Sequence, residues 1–294
     1  MLNESAVGLS LKQKFTYSWR DLILYNLSVG AGQDELDYVY EKGLKAIPTF
    51  GVIPCAGTFG MDPYDPQPQM PTRMIPGLRT DGTLHMDHKL VLHKPIAVKG
   101  TLMIEKVISA VYDRGEGKGA KIQVDVIGRD ENGEPVFTNT MGYLNRWAGG
   151  FGGPKTARST VEIPDRKPDH VCRNGYPLNA PLLYRLTGDT YPLHADPEFA
   201  AKCGFERPII HGLCSLGYAC RMMVGYACRM MVGALFPGEP ERMVSIENQF
   251  RSVAMPGEGF FLHIWETGSG KAVFRMVKDT DGKAILDFGQ MTWV

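Results

Sequence analysis

KLVLHKPI (89–96), GTLMIEKVISAVYDR (100–114), GAKIQVDVIGRD (119–130) and PVFTNTMGYLNRW (135–147) follow one another with apolar and polar residues alternating. A period of two is the signature of a strand with one buried face. GEGKG (115–119) and DENGEP (130–135) separate three of these runs. Such short Gly- and Asn-containing connections join antiparallel neighbours, so the run predicts an antiparallel sheet. Upstream, FTYSWRDLILYNLSVG (15–30) and ELDYVYEKG (35–43) mix apolar and charged residues at helical spacing, which predicts a strand entry followed by helices. An apolar stretch and a Pro- and Gly-rich loop, GMDPYDPQPQMPTRMIPG (60–77), complete the first half.

The second half repeats that order. A helical region over 184–236 precedes four strand candidates, MVSIENQFRSVAM, GFFLHIWETGSG, KAVFRMVKDTDG and KAILDFGQMTWV. Between the halves the sequence is polar, Gly- and Pro-rich and without periodicity, as a surface linker is. The reading is therefore α+β: an N-terminal unit over 1–150, a linker over 151–175, and a C-terminal unit over 176–294. Two units with the same order of elements are what duplication of one small domain gives.

A chain of 294 residues, 44% of them hydrophobic, can bury a substantial core. Its 32 basic and 32 acidic residues cancel. No run of Lys or Arg offers the one-sided charge that nucleic acid or an anionic membrane requires, so neither is an expected partner. No stretch reaches the roughly 20 apolar residues that span a bilayer, and membrane insertion is not expected. The six cysteines form no CxxC pair and read as reduced thiols, Cys203 and Cys214 as packing residues. The N-terminus lacks the apolar core of a signal peptide, and FGQMTWV is not a Ser-Lys-Leu type address.

GYACRMMV at 217–224 recurs without change at 225–232. Eight residues at about 100° each leave the second copy about 80° out of phase on a helix and about 12 Å further along. The copies cannot both present one face to one core. One copy is expected in the core helix, the other extending or bulging its end.

Chemistry concentrates in YRLTGDTYPLHADPEFAAKCGFERPIIHGLCSLG (184–217). Asp189 and His194 stand five residues apart, with Gly188 and Pro192 opposing a regular helix, so both side chains can face one cavity. A carboxylate and an imidazole so placed can hold and deprotonate a water. HGLCSLG (211–217) reads as a helix start, where a free main-chain N–H such as that of Gly212 can receive charge developing on an oxygen. Taken singly, a Gly-Asp is a turn and a His beside a Pro a surface residue. Zinc is the poorer reading, since His194 and His211 are 17 apart and no Cys pair lies at ligand spacing. A Ser nucleophile has no GxSxG elbow.

YRLTGD followed by PLHADPEFAAKCGFERPIIHGLC closely resembles the motif of the hydratase 2, or MaoC-like, family of (R)-specific enoyl-CoA hydratases. YEKGLKAIPTFGVI (40–53), LHKPI and GGFGGPK (149–155) also resemble the hydratase 2 domain of peroxisomal multifunctional enzyme type 2, and the similarity covers nearly the whole chain. It implies a double hot dog fold: two repeats, each a helix wrapped by an antiparallel sheet, the second carrying catalysis and the first shaping an acyl-chain pocket. It also implies reversible syn hydration of a trans-2-enoyl-CoA to the (R)-3-hydroxyacyl-CoA in fatty acid β-oxidation, by a hydro-lyase without metal or organic cofactor. By residue-for-residue match, Asp189 and His194 are the catalytic pair and the Gly212 N–H the oxyanion site. Glu41 and Arg185 are expected as a buried ion pair that shapes the site, and His211, Phe151 and Gly152 as substrate-binding residues.

Two features depart from the family pattern. Tyr191 stands where the family has Asn, and the eight-residue repeat falls directly after HGLC. They keep two alternatives in view: a catalytically impaired acyl-CoA binding protein, and a hot dog thioesterase, since fold alone does not decide chemistry. The resemblance further implies a homodimer, peroxisomal location with the cytoplasm as the alternative, and a dehydrogenase acting on the product. No G-x-G-x-x-G in this chain supplies that dehydrogenase. Lys155, Arg158, Lys202 and Arg207 are the cations near the relevant segments for the CoA phosphates.

Overall fold

A computed structural model describes residues 2–55, 70–79, 83–156, 160–225 and 235–294. Ten strands form one sheet: β1 (Ser10–Tyr17), β2 (Thr83–Leu92), β3 (Gly100–Asp113), β4 (Ala120–Arg129), β5 (Pro135–Asn145), β6 (His170–Gly175), β7 (Met243–Phe250), β8 (Gly259–Gly268), β9 (Lys271–Lys278) and β10 (Ala284–Trp293). Their spatial order is β1-β3-β4-β5-β2-β7-β10-β9-β8-β6. Adding five to each strand number converts the first half into the mirror order of the second, so two equivalent five-stranded sheets meet edge to edge at β2 and β7. The duplication read in the sequence is present in the topology.

Alternation decides these strands. β4 buries every second residue from Ala120 to Gly128, with Ile122, Val124 and Val126 in the core. At the seam, β2 and β7 run antiparallel from Asp87 opposite Gln249 to Val91 opposite Ser245. Lys89 reaches Glu247 across it at 3.5 Å. Against the sheet lie α1 (Trp19–Ser28), the 3-10 segment Pro48–Cys55 and α5 (Gly212–Val224). Pro48–Cys55 packs on β2 and β5, and α5 on β7 and β10. Three short helices, α2 (Leu36–Val39), α3 (Ala180–Tyr184) and α4 (Pro197–Lys202), complete the described helices.

Some expectations are corrected. His170–Gly175, read as linker, is the edge strand β6 paired with β8; six residues are too few for alternation to stand out beside Pro and Gly. The helical region at 184–236 is not continuous, because Gly188, Pro192, Pro197 and Pro208 cut it into short turns ahead of α5. Cys172 is disulfide-bonded rather than reduced, a pairing that spacing along the chain does not reveal. Cys214 is buried, but Cys203 is exposed at the end of α4.

The first GYACRMMV copy lies wholly inside α5 with all eight residues buried. The second, apart from Gly225, lies outside the described residues. The first copy ties α5 to α1 by close approach. A Cβ on Gly217 would stand 2.4 Å from Val29, and one on Gly30 2.4 Å from the Tyr218 ring. Arg221 then donates to the Val29 carbonyl at 2.9 Å and to the buried Glu35 carboxylate at 2.6 Å. Removing one member of such a pair strands a charge in the interior. Arg221→Ala or Glu35→Ala alone is expected to lower the unfolding free energy by about 3–5 kcal/mol in urea titrations. Replacing both together by apolar residues should cost less than either single change. Single variants within about 0.5 kcal/mol of the parent, the range of ordinary surface substitutions, would refute a structural role for the pair.

Candidate active site

The turn Arg185–Thr187 ends at Gly188, whose φ of 137° reverses the chain in a region that side-chain-bearing residues rarely adopt. Asp189 follows, buried. Pro192 then opens the 3-10 turn Pro192–His194, which turns His194 inward as well. The loop before α5 runs back alongside, and the His194 Nδ1 donates to the Ile209 carbonyl at 2.8 Å. His211 caps α5, and its Nε2 donates to the Asp189 carbonyl at 3.2 Å. A carbonyl only accepts, so both tautomers are set: neutral His194 presents a basic Nε2, and neutral His211 a basic Nδ1. The two imidazoles stack with centroids 3.6 Å apart, and Tyr184 covers the far face of His211 at 4.8 Å. One carboxylate oxygen of Asp189 and one ring nitrogen each of His194 and His211 lie within 4.8 Å of one another.

These side chains line a cavity of about 230 Å³ with Tyr191, Gly212, Ser215 and Phe250. As the first residue of α5, Gly212 has an N–H with no acceptor within the helix. A Cβ at this position would lie 2.9 Å from the Phe250 ring, so the close approach of the helix to that ring requires glycine. A larger cavity of about 670 Å³ lies beside it, sharing Phe250 and Arg251. There Lys121 is paired with Asp87 and Lys89 with Glu247. It lacks a comparable buried acid and base, and the smaller cavity is the chemical site.

The sequence-predicted residues are brought together in part. Asp189, His194, His211, Gly212 and Tyr191 share the cavity. Tyr191 donates its main-chain N–H to the Asp189 carboxylate at 3.3 Å and stands edge-on to His194 and Phe199. The expected Glu41–Arg185 pair does not form. α2 is only four residues long and releases Glu41 into an exposed turn, while Arg185 donates to the Thr190 carbonyl at 3.2 Å. The acid buried near this region is Glu35, and its partner is Arg221. Phe151 and Gly152 are not among the residues lining the cavity. Asp113 accepts the Gly150 and Gly152 N–H groups at 2.8 and 2.7 Å and holds the segment elsewhere, with Phe151 against the core. Lys155, Lys202 and Arg207 are exposed, and Arg158 lies outside the described residues. Sequence reasoning missed His85, Phe250 and Arg251 on the cavity wall. The strand read at KLVLHKPI (89–96) starts after His85, whereas β2 begins at Thr83, and the alternation that identified β7 carried no sign that its end faces Asp189.

Asp189, His194 and His211 meet the donor requirement for a metal site. Their geometry does not suit one ion, because imidazole ligands bind through in-plane lone pairs about 2.0–2.1 Å from the metal. Rings stacked at 3.6 Å with planes 24° apart do not bring those directions together so close to both rings.

Burial sets the charge states. It raises the Asp189 carboxyl above its usual value, partly opposed by His194, the Tyr191 N–H and Arg185. Burial lowers His194, against the opposing effect of Asp189, and lowers His211 further. His85 is likewise held well below its usual value, and His88 is lowered to about 4, burial being the leading cause in both. These four imidazoles bind fewer protons folded than unfolded, so the stability they contribute is present above pH 6.5, the ordinary imidazole value, and is lost as pH falls toward their folded values. Asp189 acts in the opposite sense, one group against four. The urea midpoint is therefore expected to be flat above about pH 7 and to fall between about 6.5 and 4. An unchanged midpoint at pH 5 would contradict buried neutral imidazoles.

Residues 15–146 match the family described as MFE-2 hydratase 2 N-terminal domain, and residues 160–287 the MaoC like domain. The chain is 33% identical to 3-hydroxyacyl-thioester dehydratase Y of Mycobacterium tuberculosis, over all of this chain and 99% of that one. It is 31% identical to the peroxisomal enoyl-CoA hydratase 2 of Arabidopsis thaliana, over 87% of this chain and 84% of that one. Among solved structures, a MaoC-like dehydratase from Phytophthora capsici superposes with a TM-score of 0.82 at 30% identity, over 100% of this chain and 99% of that one. With the ten-stranded double hot dog sheet and the motif of 184–217 in place, the chain belongs to the MaoC-like hydratase 2 family of hydro-lyases.

Proposed function

We propose that the protein is an (R)-specific 2-enoyl-CoA hydratase that reversibly adds water to trans-2-enoyl-CoA, giving (R)-3-hydroxyacyl-CoA in fatty acid β-oxidation. The observation that carries this reading is the buried pairing of Asp189 with His194 beside the unsatisfied start of α5. Water is held between the Asp189 carboxylate and the His194 Nε2. As its oxygen bonds to C3 of the enoyl group, the pair takes one proton, and it returns one to C2 from the same face. The pair's net charge is unchanged over the cycle. Between these events electron density moves onto the thioester oxygen, where the Gly212 N–H at the positive end of α5 stabilises it. Burial raises the proton affinity of Asp189 and lowers that of His194. Their affinities converge, which suits a reaction that runs in both directions. The scheme requires no metal or organic cofactor.

The acyl-CoA substrate and the stereochemistry rest on the motif and on relatives whose names carry hydroxyacyl-thioester and enoyl-CoA chemistry. A homodimer, a peroxisomal setting and a dehydrogenase that oxidises the hydroxyl product belong to the same reading, as does division of the chain into repeats over 1–150 and 176–294. Hydration of crotonyl-CoA with chiral product analysis tests it. Asp189→Asn and His194→Gln are each expected to lower kcat by about 100- to 10,000-fold. Release of free CoA would instead indicate a thioesterase, and acyl-CoA binding without turnover an impaired binding protein.

A further inference from the structure

β2 lies between β5 and β7, and at the seam His88 of the first half stands directly opposite Asn248 of the second. Both side chains take the buried face and are only 1 and 3% exposed, whereas the alternate residues Lys89 and Glu247 pair on the outer face. Directly opposed residues of an antiparallel pair have Cβ atoms about 4.5–5.5 Å apart, so the imidazole and the amide share one small space between the halves.

Three atoms there have no hydrogen-bond partner among the described residues: His88 Nδ1 and both the oxygen and the nitrogen of the Asn248 amide. The first is an acceptor. Asn139 on β5 donates its amide N–H to the Gly51 carbonyl at 3.0 Å, so its amide oxygen faces His88 and accepts the Nε2–H at 2.8 Å. A neutral imidazole has one N–H, which leaves Nδ1 its lone pair. The two nitrogens sit on opposite edges of the ring. With Nε2 turned to β5, Nδ1 faces the β7 side, where Asn248 stands.

Leaving three buried polar atoms unpaired would cost stability, and protein interiors satisfy such groups with ordered water. His88 and Asn248 do not bond to each other, so what joins them must span the gap and give an O–H to Nδ1. Whichever way the Asn248 amide is turned, it must also accept the amide N–H or give a second O–H to the amide oxygen. Water meets these demands, and neither residue carries a charge that calls for an ion. We propose that His88 and Asn248 form the binding site of one internal water molecule that bridges the two halves of the chain across the seam. The inference stands on packing and does not rest on the hydratase reading. Asn248 and Phe250 are two apart on β7 and so share a face, and the Phe250 ring closes on Gly212. The register that completes the water site is therefore also the one that brings Phe250 to the start of α5.

The test uses the full chain. A high-resolution electron-density map is expected to show one water within about 2.7–3.2 Å of both His88 Nδ1 and the Asn248 amide. A direct bond between the two side chains, or no density between them, would overturn the proposal, and this readout needs no variant to fold. His88→Gln keeps a donor for Asn139 but has no acceptor at the Nδ1 position, and Asn248→Leu removes the amide at similar volume. With a water bridge, each single change lowers the urea midpoint, and the double variant loses less than the sum of the two single losses although the side chains do not touch. In water-oxygen magnetic relaxation dispersion the double variant should lose the amplitude of one long-lived water. An unchanged amplitude, or losses that simply add, would mean that the two residues act by packing alone. A midpoint raised by Asn248→Leu would mean that the amide is buried without a partner. Each of these results refutes the water site.

Discussion

The pairing of β2 with β7 is the constraint on which the molecule depends. Five register positions, from Asp87–Gln249 to Val91–Ser245, turn two half-sheets into one. Because side chains alternate along a strand, a slip of one residue at this seam would turn His88, Leu90, Ile246 and Asn248 from the buried face to the outer one. The same two strands end at the site. β2 begins with Thr83, Leu84 and His85, β7 ends with Phe250, and all four residues line the cavity. Pairing and chemistry are set by one register, which explains why a half whose own motif carries no acid-base pair still shapes the site.

The site achieves reactivity by withholding water. Asp189, His194 and His211 are 8, 9 and 1% exposed, and each pays a desolvation cost that surrounding groups only partly offset. Main-chain carbonyls fix the ring nitrogens, so orientation does not depend on flexible side chains. The stacked pair of imidazoles brings two like groups close, and the field of His194 contributes to holding His211 neutral. His211 thus acts on the architecture: it caps α5 beside Gly212 and backs His194.

Much of this was legible in the sequence, and the part that was not has identifiable causes. Strands β3 to β5 and β7 to β10, and β2 only from Lys89 to Leu92, announce themselves by alternation, and the motif from Tyr184 to Gly217 by the density of its polar residues. β6 was hidden because six residues flanked by Pro and Gly give too short a pattern. The Glu41–Arg185 expectation failed because which of two acids, Glu35 or Glu41, turns inward depends on the end of a four-residue helix, and propensity does not fix such an end. Phe151 and Gly152 share a Gly-rich segment with real structural demand, yet the demand is the Asp113 carboxylate rather than the cavity. His85 on the cavity wall was not legible, because the strand read from the sequence begins only at Lys89.

Duplication of GYACRMMV makes the helix register degenerate, because either copy offers the small residue, ring, thiol and guanidinium that dock on α1. What breaks the degeneracy lies ahead of the repeat. GLCSL (212–216) occurs once, and His211 is pinned to Asp189, so threading the second copy into the docking position would pull the helix start eight residues away from the cavity. The sequence thus offers the groups that dock on Val29 and Glu35 twice, and the segment that occurs once, from His211 to Leu216, ties the first copy to the cavity.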